Sequence, residues 1–167
     1  KFGVDYRPTV RPATDFAAPA SPQEVDPTLA CLNKLGADDR VKILAPKLSF
    51  DSFSVQSLEI LSNKTKATPK EKSALSFLSA EMESCFSLGD EWRDKNYPAE
   101  INSIFLDYRI QNISELSELY TGKITYGEIA KLRMKSAIEF KKRVSIAINV
   151  ANARKDAEAK QREIDIA

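Results

Sequence analysis

The sequence of 167 residues contains no histidine. That excludes Ser-His-Asp and Cys-His catalytic sites, any His-ligated metal, and the carboxylate di-iron bundle with its Glu-x-x-His pairs. Glycine is scarce, with five in the chain. The only two cysteines, Cys31 and Cys85, include no Cys-x-x-Cys and make a poor zinc site. There is a single tryptophan, Trp92. No apolar run approaches the ~18 residues of a membrane span. A net charge of +1 gives no overall attraction to nucleic acid or acidic membranes.

What is present favours helix. Ala, Lys, Glu, Leu and Ser dominate, and the hydrophobic content of 43% suits one soluble domain of this length. Charge is segregated along the chain. Residues 68–122 carry 5 basic and 10 acidic side chains, whereas residues 123–167 carry 11 and 6. Adjacent segments of opposite sign attract when folded back on each other, which favours a helical hairpin over a free basic arm.

Residues 1–20 contain Pro8, Pro12 and Pro19 and no apolar period, and read as an extended or disordered lead-in. Residues 21–153 read as a single helical domain. A capping pattern at Ser21–Glu24 and a second start at Asp26-Pro27 precede a helix that stops at Gly36. A further short helix is expected over residues 37–45, with a strand in "RVKILAPKL" as the alternative, then a turn and a short helix over residues 49–63. Thr68-Pro69-Lys70-Glu71 opens a clearer helix with Leu75, Leu78, Met82 and Cys85 on one face, expected to end at Gly89. Residues 89–98 read as a polar connector.

The helix from Pro98 to Tyr120 carries two apolar stripes. One runs through Ile101, Ile104, Phe105, Tyr108, Leu116 and Leu119; the other comprises Leu106, Ile110, Ile113 and Tyr120. Together they predict a central helix buried around roughly two thirds of its circumference. The last helix starts near Thr125, with its apolar stripe at Ile129, Leu132, Phe140, Val144, Ala147, Ile148 and Ala151. Residues 154–167 stay helix-forming but polar, and are expected to project as the end of a helix about 58 Å long. The fold predicted is an all-α helical bundle on a long antiparallel pair, with shorter N-terminal helices.

The stretch "LYTGKITYGEIAKLR" contains Gly-Lys and Thr, yet lacks the Gly-rich run and the hydroxyl directly after the lysine that a phosphate loop needs. It fits a helix stop at Gly122 and a restart capped by Thr125 with Glu128, stapled by Ile124 and Ile129. Arg109 and Asn112, inside the apolar arc, form a candidate buried polar site, or are simply satisfied within the bundle. Trp92 and Arg93 in the polar connector, with Arg154 and Lys155 at the projecting end, are the candidate interface. Asp90, Glu91 and Asp94 lack the spacing of a calcium loop. Lys131, Arg133, Lys135, Lys141, Lys142 and Arg143 read as a solvated basic face rather than a nucleic-acid surface.

No catalytic residue, cofactor or metal is expected. The chain opens on Lys1, which suggests an upstream segment removed, as a secretory signal would be. In an oxidising compartment Cys31 and Cys85 would form a disulfide closing 54 residues, stabilising by roughly 3–4 kcal/mol in the chain-entropy model; two buried thiols are the alternative. The function expected is that of a non-enzymatic interaction or accessory protein, periplasmic or secreted, with an unknown protein partner; a cytoplasmic location is the alternative. A small-ligand-binding bundle and a carboxylate- or lysine-dependent enzyme are the other readings.

Overall fold

The computed structural model describes residues 25–166, so the lead-in over residues 1–20 and the capping pattern at Ser21–Glu24 lie outside the described residues. Five α-helices follow in order: α1 (Pro27–Gly36), α2 (Leu58–Leu61), α3 (Pro69–Asn96), α4 (Ala99–Tyr120) and α5 (Tyr126–Ile166). A 3₁₀ turn at Lys42–Leu44 lies between α1 and α2. There is no strand among the described residues, and "RVKILAPKL" instead turns so that Val41, Leu44 and Leu48 all enter the core. The fold is an all-α bundle in which α4 and α5 form an antiparallel pair, α3 packs on α4, and α1 packs on α3. No helix among the described residues is long and apolar enough to cross a membrane.

Local signals set the helix starts. Asp26 caps α1 by accepting from Thr28 N at 2.9 Å, with Pro27 in the first turn. Thr68 and Glu71 form a reciprocal capping box on α3. Their counterparts on α5 are Thr125 and Glu128: Thr125 N donates to Glu128 Oε2 at 2.7 Å, and Glu128 N to Thr125 Oγ1 at 3.3 Å. Between α4 and α5, Gly122 takes the left-handed conformation at φ 75°, while Lys123 N donates to Glu118 O at 2.9 Å. Lys123 thus belongs to a helix stop. The first turn of α5 is also closed by chain from elsewhere: Tyr126 N donates to Thr65 O at 3.0 Å and Gly127 N to Asn63 O at 2.8 Å.

The main core gathers Leu35, Val41, Leu44, Leu48, Leu75, Leu78, Leu116, Leu119, Tyr126 and Ile129 near the α4–α5 turn. Cys31 and Cys85 are joined in a disulfide with Cα atoms 5.4 Å apart, tying α1 to α3. Arg143 to Asp107 at 2.7 Å and Arg154 to Glu100 at 3.0 Å join the basic last helix to its acidic neighbour.

Three expectations are corrected. Gly89 does not end a helix, and residues 89–96 are not a connector: α3 runs through to Asn96. Gly89 is there for space, because a Cβ on it would overlap Thr28 Oγ1 and sit 2.6 Å from Arg93 Nη1. Second, α4 is not buried around two thirds of its circumference. Its face with Ile101, Ile104, Leu116 and Leu119 is buried, while Leu106, Ile110, Ile113 and Tyr120 are exposed, because the N-terminal segments pack on α3 and α5 instead. Third, the helix expected over residues 37–45 is reduced to the 3₁₀ turn Lys42–Leu44.

Candidate functional site

Arg93 was expected at an interface with Trp92, on a loop. The structure places it inside α3, only 4% exposed. Its Nη1 donates to Thr28 Oγ1 at 2.7 Å and Asp26 Oδ2 at 3.1 Å, and Nη2 donates to Asp90 Oδ1 at 2.7 Å and to Phe86 O. Its planar donors lock the capped start of α1 onto α3, so Arg93 is an internal clamp and not a contact surface. Trp92 is half-buried, edge-on to Tyr97 at 5.5 Å between ring centroids. An aromatic row continues from Tyr97 through Phe105, Phe140 and Tyr108 to Phe53.

Arg109 and Asn112 do not converge on one site. Arg109 turns to α3, where Nε donates to Glu83 Oε2 at 2.7 Å, Nη2 pairs with the same carboxylate, and Nη1 lies 3.4 Å from Asp90 Oδ2. Asn112 is buried on the inner side, with Nδ2 donating to Tyr108 O at 2.8 Å. Asp90, Glu91 and Asp94 are engaged with Arg93, Lys95 and Asn102 respectively. No group of carboxylates or cysteines suited to a metal ion occurs among the described residues.

Asn112 instead shares a cleft with a residue assigned to the solvated basic face. Arg133 is 7% exposed, on the buried side of α5 between Ile129 and Ala137. Lys131, Lys135, Lys141 and Lys142 are exposed, so the basic face is real but Arg133 is not part of it. The signal was legible as spacing: Arg133 follows Ile129 by four residues, one turn along the apolar stripe. Its Nη1 donates to Ser49 O at 2.6 Å, and its buried Nε has no partner among the described residues. No carboxylate among the described residues lies within 4 Å of it. Burial lowers the guanidinium's pKa, opposed electrostatically by Tyr108, Glu115 and Asp51.

The cleft has a volume of about 510 Å³ and lies between α1, the segment around Phe50, α3 and α4. Leu32, Leu35, Phe50, Leu78, Met82 and Leu116 supply apolar walls; Asn33, Asp51, Ser52, Tyr108, Asn112 and Arg133 supply polar groups, so the cleft holds one carboxylate and one guanidinium. Ser52 Oγ and Tyr108 Oη are hydrogen-bonded at 2.7 Å. A second buried charge missed in the sequence is Glu115, one turn along α4 from Asn112 and 2% exposed. Its Oε1 accepts from Ser136 Oγ at 2.5 Å and Gln111 Nε2 at 3.0 Å, while Oε2 is buried without a partner among the described residues.

At the far end, Ala151 is the last half-buried residue of α5, and residues 152–166 are helical and exposed. Arg154 lies at the start of this stretch, against Glu100, and Lys155 follows it on the exposed surface. Compared with protein-family models, curated proteins and solved structures, the chain matches none.

Proposed function

We propose that the chain is a non-enzymatic helical interaction protein that meets a protein partner through the exposed end of α5. The observation that carries this reading is a seam of apolar positions running off the body. Ile146, Val150, Ala153, Ala157 and Ile164 fall on one side of the helix at 100° per residue, and all are exposed. Lys160 is the one polar position within the seam. Helices of about 12–15 residues are marginal in water by themselves, so an exposed end of this kind gains from a partner helix laid along it. Photo-crosslinking tests this in cells of the native source. A benzophenone side chain at Ala153, Ala157 or Ile164 should give one discrete protein adduct, and the same group at Glu158 or Arg162 should not. Equal labelling of both faces, or none, rules the reading out.

The Cys31–Cys85 disulfide supports an oxidising compartment, periplasmic or secreted, as the place where the protein works. Alkylation of protein from its native source, without reductant, should leave its mass unchanged. Addition of two alkyl groups would point to a reducing compartment.

A second reading, small-ligand binding within the bundle, is favoured by the cleft beside Arg133. It no longer involves Arg109, which is turned towards α3.

A further inference from the structure

We infer that the cleft between α1, α3 and α4 binds a single-chain amphipathic carboxylate, with its head on Arg133 and its apolar chain between α1 and α3. The inference rests on the ligand-binding reading and is independent of the α5 seam.

The cleft volume of about 510 Å³ lies within the roughly 300–1,000 Å³ of small-molecule sites. Its walls are aliphatic and aromatic, with few polar groups, which suits a hydrocarbon body. Two charges line the cleft: Asp51 is exposed and already accepts from Phe53 N at 2.9 Å, whereas Arg133 is buried, and the buried charge decides the sign of the head group. A guanidinium offers five N–H donors, whereas among the described residues Arg133 makes one hydrogen bond, to Ser49 O, and keeps a buried Nε unpartnered. Burial of a cation without a contact partner is costly, and an arriving carboxylate would remove that cost while accepting two bonds from the planar fork. Other charges face the same guanidinium. Glu115 from α4 and Asp51 from the segment before α2 act on it without reaching contact distance, as does the Tyr108 hydroxyl. They offset part of the cost of its burial without saturating its donors.

One arginine in a mostly apolar cleft favours a monoanion over a phosphate. A phosphate commonly recruits several donors, such as the backbone N–H groups of a helix start. Here the first turn of α5 is already closed by Asn63 and Thr65. Leu29, 62% exposed, stands at the cleft's outer edge, where the tail would enter.

Isothermal titration of the full chain with monomeric dodecanoate, dodecylamine and dodecanol tests the inference. Dodecanoate should bind saturably at one site and the amine should not bind there; dodecanol should bind more weakly than the acid. Arg133→Met should weaken dodecanoate by about tenfold or more, with Lys131→Met, on the exposed side of the same helix, unchanged. Should Arg133→Met not fold, Leu29→Trp decides, because it narrows the entrance from an exposed position and should weaken the acid and the alcohol together. Failure of the full chain to take up dodecanoate, binding of the amine as tightly as the acid, or acid binding undiminished in the folded variants would each overturn it.

Discussion

The backbone of Gly89 lies so close to Thr28 that a methyl group on its Cα would overlap the Thr28 hydroxyl. This is where α1 touches α3, where Asp26 caps α1, and where Arg93 bonds both Asp26 and Thr28. Gly89→Ala should therefore destabilise the protein by about 1–3 kcal/mol, as overpacking does, although alanine is the better helix former by about 1 kcal/mol. A urea denaturation midpoint checks the sign. A rise in stability would mean that the helices separate here at little cost.

The disulfide closes a loop with a sequence separation of 54 between elements that already pack together. Replacing both Cys31 and Cys85 by Ala should lower stability by roughly 3–4 kcal/mol in the chain-entropy model. Reductant should shift the denaturation midpoint of the native chain and leave that of the double variant in place.

Thr125 and Glu128 satisfy the start of α5 reciprocally. Thr125→Ala should cost about 1 kcal/mol. Lys123→Ala should cost little, because the Lys123 backbone N–H, not its side chain, closes the turn. Adding ATP should leave the melting temperature of both variants and of the native chain unchanged. An ATP-dependent rise abolished by Lys123→Ala would reinstate a phosphate site.

Glu71 carries a pH dependence. Burial raises the pKa of its carboxyl, but Lys47 Nζ at 2.7 Å and Thr68 N at 2.8 Å outweigh that and hold it below its ordinary value. A depressed folded-state pKa stabilises above the unfolded value, about 4.3 for Glu, and that stabilisation is lost as pH falls through the folded value. Stability should therefore drop on acidification below about pH 4. Glu71→Gln should be less stable at neutral pH and show a shallower acid slope. An unchanged slope would assign the acid sensitivity to other carboxylates.

The two capping boxes, the Gly122 stop and the antiparallel pairing of the last two helices were legible in the sequence because each depends on residues a few positions apart. Gly89 was misread because its cause is tertiary. A glycine late in a helix resembles a C-terminal stop unless Thr28, 61 positions earlier, is known to press on it. Arg93 was misread for the same reason, since its partners Asp26 and Thr28 come from another helix. Arg133 is different: its spacing from Ile129 placed it on the buried stripe, but its charge grouped it with exposed lysines. Residue type outweighed periodicity, and the cleft's one buried cation was lost in a basic run. The outer stripe of α4 was seen correctly as apolar, but sequence alone carries no information on whether a neighbouring helix covers it.

The continuity of α5 has a mechanical consequence. Its 41 residues form one rod about 62 Å long, with packed and exposed parts sharing an unbroken backbone. Residues 152–166 make an arm of about 22 Å, so a rotation of about 10° at the seam with α4 swings the tip through roughly 4 Å. The Arg154–Glu100 pair sits at the fulcrum of that arm. A load taken up at Ile164 would therefore be felt first at this surface ion pair and along the α4–α5 seam, before it reached the disulfide-tied α1–α3 half of the molecule.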